Sequence, residues 1–122
     1  MRQAILAFSL AAVSSAAAAN LYVAPTGATG AAGTSAAPTT LVDAIAKVAP
    51  GDTIWVLDGT YAFSAQVTID STNSGTAGKP KCIMAAPGAK PVFDFSAEAY
   101  VGGGASNPRG IQINGDYWHL RD

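Results

Sequence analysis

The densest group of side chains with catalytic or metal-binding chemistry stands near the end of the sequence. Asp116, His119, Arg121 and Asp122 fall within one short stretch, and histidine with carboxylates can bind zinc or form a catalytic triad. Alternate residues of a strand point to opposite faces, so His119 and Asp122 would lie on opposite sides. We therefore interpret the stretch as a strand with polar outward residues, and we assign no metal site or triad to it.

The other acidic residues and two lysines also offer no site. The acids are spread singly along the chain: Asp43, Asp52, Asp58, Asp70, Asp94 and Glu98. Because Ca²⁺ takes about six to eight oxygen ligands, a calcium site needs a cluster of carboxylates. Lys79 and Lys81 flank Pro80 in a stretch typical of turns, which predicts solvated charges rather than bases. We expect no catalytic, cofactor-binding or metal-binding residue in this sequence.

Two further patterns fail as functional motifs. Cys82 is the single cysteine, which excludes a disulfide within the chain, and its apolar neighbours predict a small buried residue rather than a nucleophile. Gly27, Gly30 and Gly33 lie between a predicted strand and a predicted helix, and Asp58 ends the next β-like run. Their spacing is not that of the G-x-G-x-x-G fingerprint, so a dinucleotide site is excluded.

Composition limits the class of protein. The chain has 122 residues, of which 49% are hydrophobic and 12% charged, with a formal net charge of −1. Average soluble domains carry about 25% charged residues, so this chain is poor in charge. Its length predicts one domain, its apolar content argues against disorder, and the lack of a basic stripe argues against a nucleic-acid partner.

The N-terminal segment has the pattern of a secretory signal peptide. Met1–Gln3 carries one positive charge, Ala4–Val13 is apolar apart from a serine, and Ser14–Ala19 supplies small residues. An apolar run this short cannot span a bilayer, which needs about 20 residues. We predict cleavage after Ala19, export to the periplasm or the extracellular space, and no membrane span.

The elements that follow are one helix and several very short strands. Thr40 and Asp43 have the spacing of a capping box, and Pro50 with Gly51 ends the helical pattern. The apolar face of that helix is formed by Leu41, Ala44, Ile45 and Val48. Short apolar or alternating runs predict strands at 21–23, 53–57, 67–69, 82–84, 92–95, 110–113 and 117–120.

Spacing alone leaves two architectures open. In a sandwich or small barrel, residues 114–116 (Asn-Gly-Asp) would form a hairpin turn between the last two strands. In a solenoid of parallel strands, each coil would hold three short strands stacked on the next coil. The predicted helix would then cover the first coil, whose backbone edges would otherwise be exposed.

Several sequence pieces together carry a family resemblance. They are Leu21–Gly27, Leu41–Ile45, Pro50–Val56, Asp58–Tyr61, Gly75–Pro80, Lys90–Phe95 and Arg109–Leu120. The sequence that contains them resembles the N-terminal region of secreted right-handed parallel β-helix polysaccharide lyases, most closely the family-nine pectate lyases. The Pro-Gly-Asp-Thr-Ile and Gly-Thr-Tyr pieces are common to many secreted β-helices and identify the fold. The Arg109–Leu120 piece is more specific to the pectate-lyase-like group.

The resemblance implies a fold, a domain division and an activity. The fold would be all-β, a right-handed parallel β-helix with a short N-terminal capping α-helix; residues 1–19 would be the signal peptide and residues 20–122 the cap and first coils. The longer enzyme would cleave acidic plant or bacterial polysaccharide such as polygalacturonate by Ca²⁺-assisted β-elimination, as a monomer. Its catalytic groups and calcium ligands would lie downstream of Asp122. The chain would then be an inactive fragment of that enzyme.

A non-catalytic alternative is a secreted β-helix that binds carbohydrate or acts as an adhesin. Aromatic side chains could stack on sugar rings, although aromatic residues in strands more often belong to a core. The candidates are Trp55, Tyr61, Tyr100, Tyr117 and Trp118. The downstream sequence would distinguish the two readings, because the lyase needs clustered aspartates and a lysine there.

Overall fold

The computed structural model describes residues 19–99 and 109–122. Within these ranges the chain forms eight short strands and one helix. They are β1 (Asn20–Val23), α1 (Leu41–Lys47), β2 (Thr53–Val56), β3 (Gly59–Ala62), β4 (Val67–Ile69), β5 (Lys81–Ala85), β6 (Pro91–Asp94), β7 (Ile111–Ile113) and β8 (Trp118–Arg121). Of the predicted signal peptide, residues 1–18 lie outside the described residues, which begin at Ala19.

The strands form three parallel sheets. Sheet A has the order β1-β2-β5-β8, sheet B pairs β3 with β6, and sheet C pairs β4 with β7. The chain visits the three sheets in turn and then returns to sheet A one strand further along, which is the path of a parallel β-helix. The alternative of a hairpin turn at residues 114–116 is wrong, because β7 and β8 belong to different sheets. Its asparagine, glycine and aspartate instead form the corner between sheets C and A.

Helix α1 covers the first coil, as predicted. The Thr40 hydroxyl accepts a hydrogen bond from the Asp43 backbone N–H at 3.1 Å, which is the N-cap that the sequence indicates. The helix buries Leu41, Ala44 and Ile45 in one core with the strands below it. Among the described residues, no helix has the length and apolar character needed to cross a membrane.

The core consists of inward side chains stacked from coil to coil. Leu21, Ile54, Ile83 and Leu120 occupy one register on sheet A, and the two middle residues are 0% and 3% exposed. Ile69 and Ile113 form a similar row on sheet C. The last member of each row is partly open: Leu120 is 44% and Ile113 41% exposed. Inward side chains thus stack in rows from coil to coil, and the rows are least covered at the β8 end.

Strand β3 is the one described strand that the sequence pattern did not indicate. Only Tyr61 is buried in it, so its alternation is too short to recognise. The bend at its start requires glycine, since Gly59 has a φ of 126° that other residues rarely adopt. A Cβ at Gly59 would lie 2.7 Å from the Pro25 ring, so the close approach of these two segments also requires glycine.

We expect Gly115→Ala to destabilise the corner between sheets C and A. A Cβ at this position would collide with the Asn73 backbone carbonyl and lie 3.1 Å from the Asp70 carbonyl, and neither backbone can yield without moving its loop. The expected loss is about 1–3 kcal/mol in the free energy of unfolding, measured by urea denaturation. Gly78→Ala is the matched control, because nothing lies within 4 Å of its added methyl group. Equal losses in the two variants would contradict the close packing described here.

Candidate functional site

The C-terminal polar group is not a cluster in the structure. His119 and Arg121 project outward from β8, and Asp116 and Asp122 are exposed on either side of the strand. The Asp116 backbone N–H donates to the Ser74 hydroxyl at 2.8 Å, which fixes the corner before β8. This arrangement agrees with the interpretation as a strand with polar outward residues.

Most of the aspartates are used to hold turns. Asp52 accepts a hydrogen bond from the Ala49 backbone N–H at 2.9 Å and closes the turn after α1. The Asp58 carboxylate accepts a hydrogen bond from the Lys90 backbone N–H at 2.8 Å. This bond links the corresponding corners of two successive coils. Both carboxylates therefore fix the backbone of the turns in which they lie.

Two further turn carboxylates, Asp70 and Asp94, have a lowered pKa because they accept hydrogen bonds from nearby groups. At Asp70 the hydroxyl and then the backbone N–H of Thr72 lower the pKa, with donor–acceptor distances of 2.6 and 3.1 Å. At Asp94 the backbone N–H of Ser96, 2.9 Å away, is the main cause of the lowered pKa. Glu98 lies in the turn that follows, where its own N–H donates to the Phe95 carbonyl.

Asp43 fastens the glycine-rich loop to the cap helix. Its carboxylate lies 2.9 Å from the Lys47 ammonium and accepts hydrogen bonds from the Thr39 hydroxyl and the Gly30 N–H. The hydrogen bond from Lys47, and next that from Thr39, hold the pKa of Asp43 below its usual range. Lys47 also donates to the Ala31 carbonyl, at 3.0 Å. The glycines that were considered for a dinucleotide site therefore belong to a structural loop.

We expect Asp43 to contribute to loss of stability in acid. Its folded-state pKa lies below the unfolded value of about 3.9, so its contribution is present above that value and is lost as the pH falls through the folded pKa. In urea denaturation from about pH 6 to about pH 2, Asp43→Asn should show a shallower decline of unfolding free energy than the unchanged chain. Lys47→Met should make the decline of unfolding free energy with falling pH partly shallower. On the Asp43→Asn background, Lys47→Met should not change this decline further. Identical declines in the unchanged chain and Asp43→Asn would contradict this role.

The two lysines beside Pro80 have different surroundings. Lys79 is exposed, as predicted, but the prediction of a solvated turn residue is wrong for Lys81, which is 7% exposed at the start of β5. The Lys81 ammonium lies 2.6 Å from the Asn73 side-chain oxygen and 5.7 Å from the centre of the Trp118 ring. Lys81 lies two residues before Ile83, so the two side chains point to the same face of the strand. This spacing could have indicated from the sequence that Lys81 lies inside.

Asn73 is the centre of this interior polar cluster, which consists of Asn73, Lys81 and Trp118. Its amide nitrogen donates to the Ile45 carbonyl at the end of α1, 3.0 Å away, and its backbone carbonyl accepts from the Trp118 indole at 2.7 Å. The cap helix, β5 and β8 are thus joined through one residue. Lys81 is buried and Asn73 and Trp118 are half-buried between the first coils, so the cluster stabilises the scaffold.

The remaining candidates are divided between core and surface. Cys82 is half-buried and points outward between Thr53 and His119, so it is less buried than predicted. Tyr61 is 5% exposed, its hydroxyl contacts the Val23 and Leu57 carbonyls, and burial raises its pKa to about 12. It is therefore a core residue, and its hydroxyl is not available to a sugar.

Two aromatic candidates remain accessible on the described surface. Trp55 is half-buried and faces outward from β2, and Tyr117 is 54% exposed at the corner before β8. Trp118 packs inward in the polar cluster, and Tyr100 lies outside the described residues.

The described residues do not fit a calcium site. No three His, Cys, Asp or Glu side chains of residues 19–99 and 109–122 come together to hold a metal ion. The carboxylates that Ca²⁺ would need are separated and hold backbone N–H groups instead. An open depression of about 1100 Å³ lies at the β8 end of the stack, but Ile83, Phe93 and Leu120 give it an apolar floor. These coils supply a scaffold, and we derive no reaction step from them.

Three parallel sheets visited in turn, with a helix over the first coil, define the class of parallel β-helix proteins. The model of the family described as "Pel9A-like, right handed beta helix region" matches residues 21–122. The chain belongs to this family, as the resemblance of its sequence pieces implied.

Curated relatives share the sequence over most of this chain but over a small part of their own length. Pectate lyase L of Paenibacillus polymyxa is 46% identical over 93% of this chain and 24% of the relative. Pectate lyase L of Dickeya dadantii is 36% identical over 82% of this chain and 24% of the relative. The chain therefore spans about a quarter of the length of these two relatives.

Solved structures share the fold at similar coverage. The crystal structure of pectate lyase Pel9A has a TM-score of 0.66 and 29% identity, over 86% of this chain and 27% of that one. A rhamnogalacturonan lyase has a TM-score of 0.65 and 28% identity, over 83% of this chain and 27% of that one. A glycoside hydrolase matches 62% of this chain and 15% of its own, with a TM-score of 0.58 and 28% identity. Coils of similar fold thus occur in the pectate lyase, the rhamnogalacturonan lyase and the glycoside hydrolase.

Proposed function

We propose that these coils are the N-terminal part of a secreted pectate-lyase-like enzyme that cleaves polygalacturonate by Ca²⁺-assisted β-elimination. The observation that carries this proposal is the membership of residues 21–122 in the Pel9A-like family, together with relatives named pectate lyase L. In such a reaction a base removes the proton next to the uronate carboxylate, and bound Ca²⁺ makes that proton more acidic.

In this proposal the described residues fold and position the enzyme, and other coils carry its chemistry. The scaffold role is supported by the aspartates, which hold turns, and by the lysine at position 81, which is enclosed by the core. The partly open ends of the core rows at Ile113 and Leu120 are suited to the stacking of a further coil. Export is supported by the three-part pattern of residues 1–19.

The proposal is tested with the complete gene product and polygalacturonate. We expect unsaturated uronides, detected by the ultraviolet absorbance of the new double bond, in the presence of Ca²⁺ and their loss after chelation. Rhamnogalacturonan serves as the second substrate, because a rhamnogalacturonan lyase shares the coils. Saturated products would indicate hydrolysis and contradict the proposed elimination. Unsaturated products from rhamnogalacturonan alone would contradict the proposed substrate.

A further inference from the structure

The outward surface of sheet A carries an ordered row of side chains. Parallel register places Tyr22, Trp55, Met84 and Arg121 side by side on β1, β2, β5 and β8. We call these four residues the outer row. The first three are half-buried and Arg121 is exposed, whereas the intervening positions Ile54 and Ile83 point into the core. Neighbouring strands lie about 4.8 Å apart, so the row extends over about 14 Å of nearly flat surface.

The indole in this row is held in place before any ligand arrives. The Trp55 indole N–H donates to the Asn20 side-chain oxygen at 2.9 Å, across the pair of strands β1 and β2. Its ring therefore loses little freedom on binding, which favours contact with a flat, weakly polar surface such as the face of a sugar ring. None of the outer row is needed to satisfy the polar groups of the core.

The charge of this surface matches an anionic polymer. The second outward register consists of Asn20, Thr53, Cys82 and His119, so the eight outward positions in the two registers hold no acidic residue. Arg121 supplies a positive charge at the β8 side of the row. A guanidinium can bind a carboxylate through two parallel hydrogen bonds, and this geometry suits a uronate.

We propose that the outer row is a non-catalytic binding surface for acidic polysaccharide, with Trp55 stacking on a sugar ring and Arg121 pairing with a uronate carboxylate. This inference rests on the proposed function for the choice of polymer. The surface lies on the side of the coils, it has no metal-binding cluster among the described residues, and its contacts need no chemistry. It would hold the polymer on the enzyme while cleavage occurs elsewhere.

Affinity electrophoresis of the complete gene product tests the surface. We expect gels that contain polygalacturonate to retard the protein, and gels with a neutral dextran not to do so. Trp55→Ala should weaken retardation about two- to tenfold, whereas Trp55→Phe should keep most of it. Arg121→Gln should weaken it and reduce its sensitivity to salt. Val92→Ala is the control, because Val92 is 54% exposed on sheet B, a different sheet from the row.

The results separate this inference from the proposed function. Circular dichroism and thermal unfolding establish that each variant is folded, and a misfolded Trp55→Ala is replaced by Trp55→Thr. Retardation that is the same in Trp55→Ala, Arg121→Gln and Val92→Ala overturns the binding surface even if the protein releases unsaturated uronides. Retardation that depends on Trp55 and Arg121 supports the surface even if no unsaturated product appears, in which case only the proposed function fails.

Discussion

Ile54→Ala is expected to lower the free energy of unfolding by about 2–5 kcal/mol. Ile54 is 0% exposed and lies in register between Leu21 and Ile83, beneath the cap helix. The shorter side chain loses its own burial and also leaves a cavity, because fixed parallel register prevents the strands on either side from closing the gap. The midpoint of urea denaturation followed by circular dichroism measures the loss.

Val42→Ala is the control for this effect. Val42 lies on the solvent side of α1 and is 59% exposed, so its truncation removes little buried surface. Alanine also favours a helix more than valine does, and we expect a change within about 0.5 kcal/mol. A loss at Ile54 no larger than that at Val42 would show that the row of Leu21, Ile54 and Ile83 is not the core of the first coils.

Asn73→Ala is expected to cost about 3 kcal/mol, because it leaves the buried Lys81 ammonium without its hydrogen-bond acceptor. It also removes the donor to the Ile45 carbonyl, which connects the cap helix to the loop before β5. The backbone carbonyl of residue 73 can still accept from the Trp118 indole. The loss should therefore arise from Lys81 and Ile45, and it is measured by urea denaturation.

A double-mutant cycle isolates the contribution of Lys81. Lys81→Met replaces the ammonium with an apolar side chain of similar length, and its effect on stability should be close to neutral. On the Lys81→Met background, Asn73→Ala should cost less, with a coupling free energy of about 1–2 kcal/mol. Additive effects of the two substitutions would contradict the interaction between Asn73 and Lys81. The free energy of unfolding of the single Lys81→Met variant shows whether the fold needs the buried charge itself.

The sequence predicted the parts of the fold in which local chemistry and tertiary packing agree. The helix from Leu41 has an N-cap and one apolar face, and both determine its position on the coils. Strand β4 alternates apolar and polar residues, so Val67 and Ile69 could be assigned to the interior. Gly59 could be assigned to a bend, because few other residues adopt a positive φ.

Other features depend on packing between coils, which local patterns do not record. Pro80 next to Lys81 indicated a turn, yet sheet register continues through Lys81 to Trp118 and places its side chain inside. The corner at residues 114–116 has the composition of a hairpin, but a chain that leaves sheet C and enters sheet A uses the same residue types. The loops between sheets differ in length, so the sequence shows no constant repeat.

The candidate site shows a similar division. The aspartates are singly spaced in the sequence, and in the structure most of them hold turns, since a carboxylate two or three residues from a free N–H commonly caps it. The outer row could not be recognised in the sequence, because Tyr22, Trp55, Met84 and Arg121 are distant in the chain and meet only through parallel register. Identification of the sheet to which each strand belongs is what brings them together.

The most direct test of a scaffold role for these coils is the release of unsaturated uronides by residues 20–122 alone. The segment is incubated with polygalacturonate and Ca²⁺, with circular dichroism as the check that it is folded and the complete gene product as the positive control. We predict unsaturated product from the complete gene product and none from the folded segment. Chelator-sensitive release of unsaturated product by the segment would contradict the assignment of residues 20–122 to scaffold.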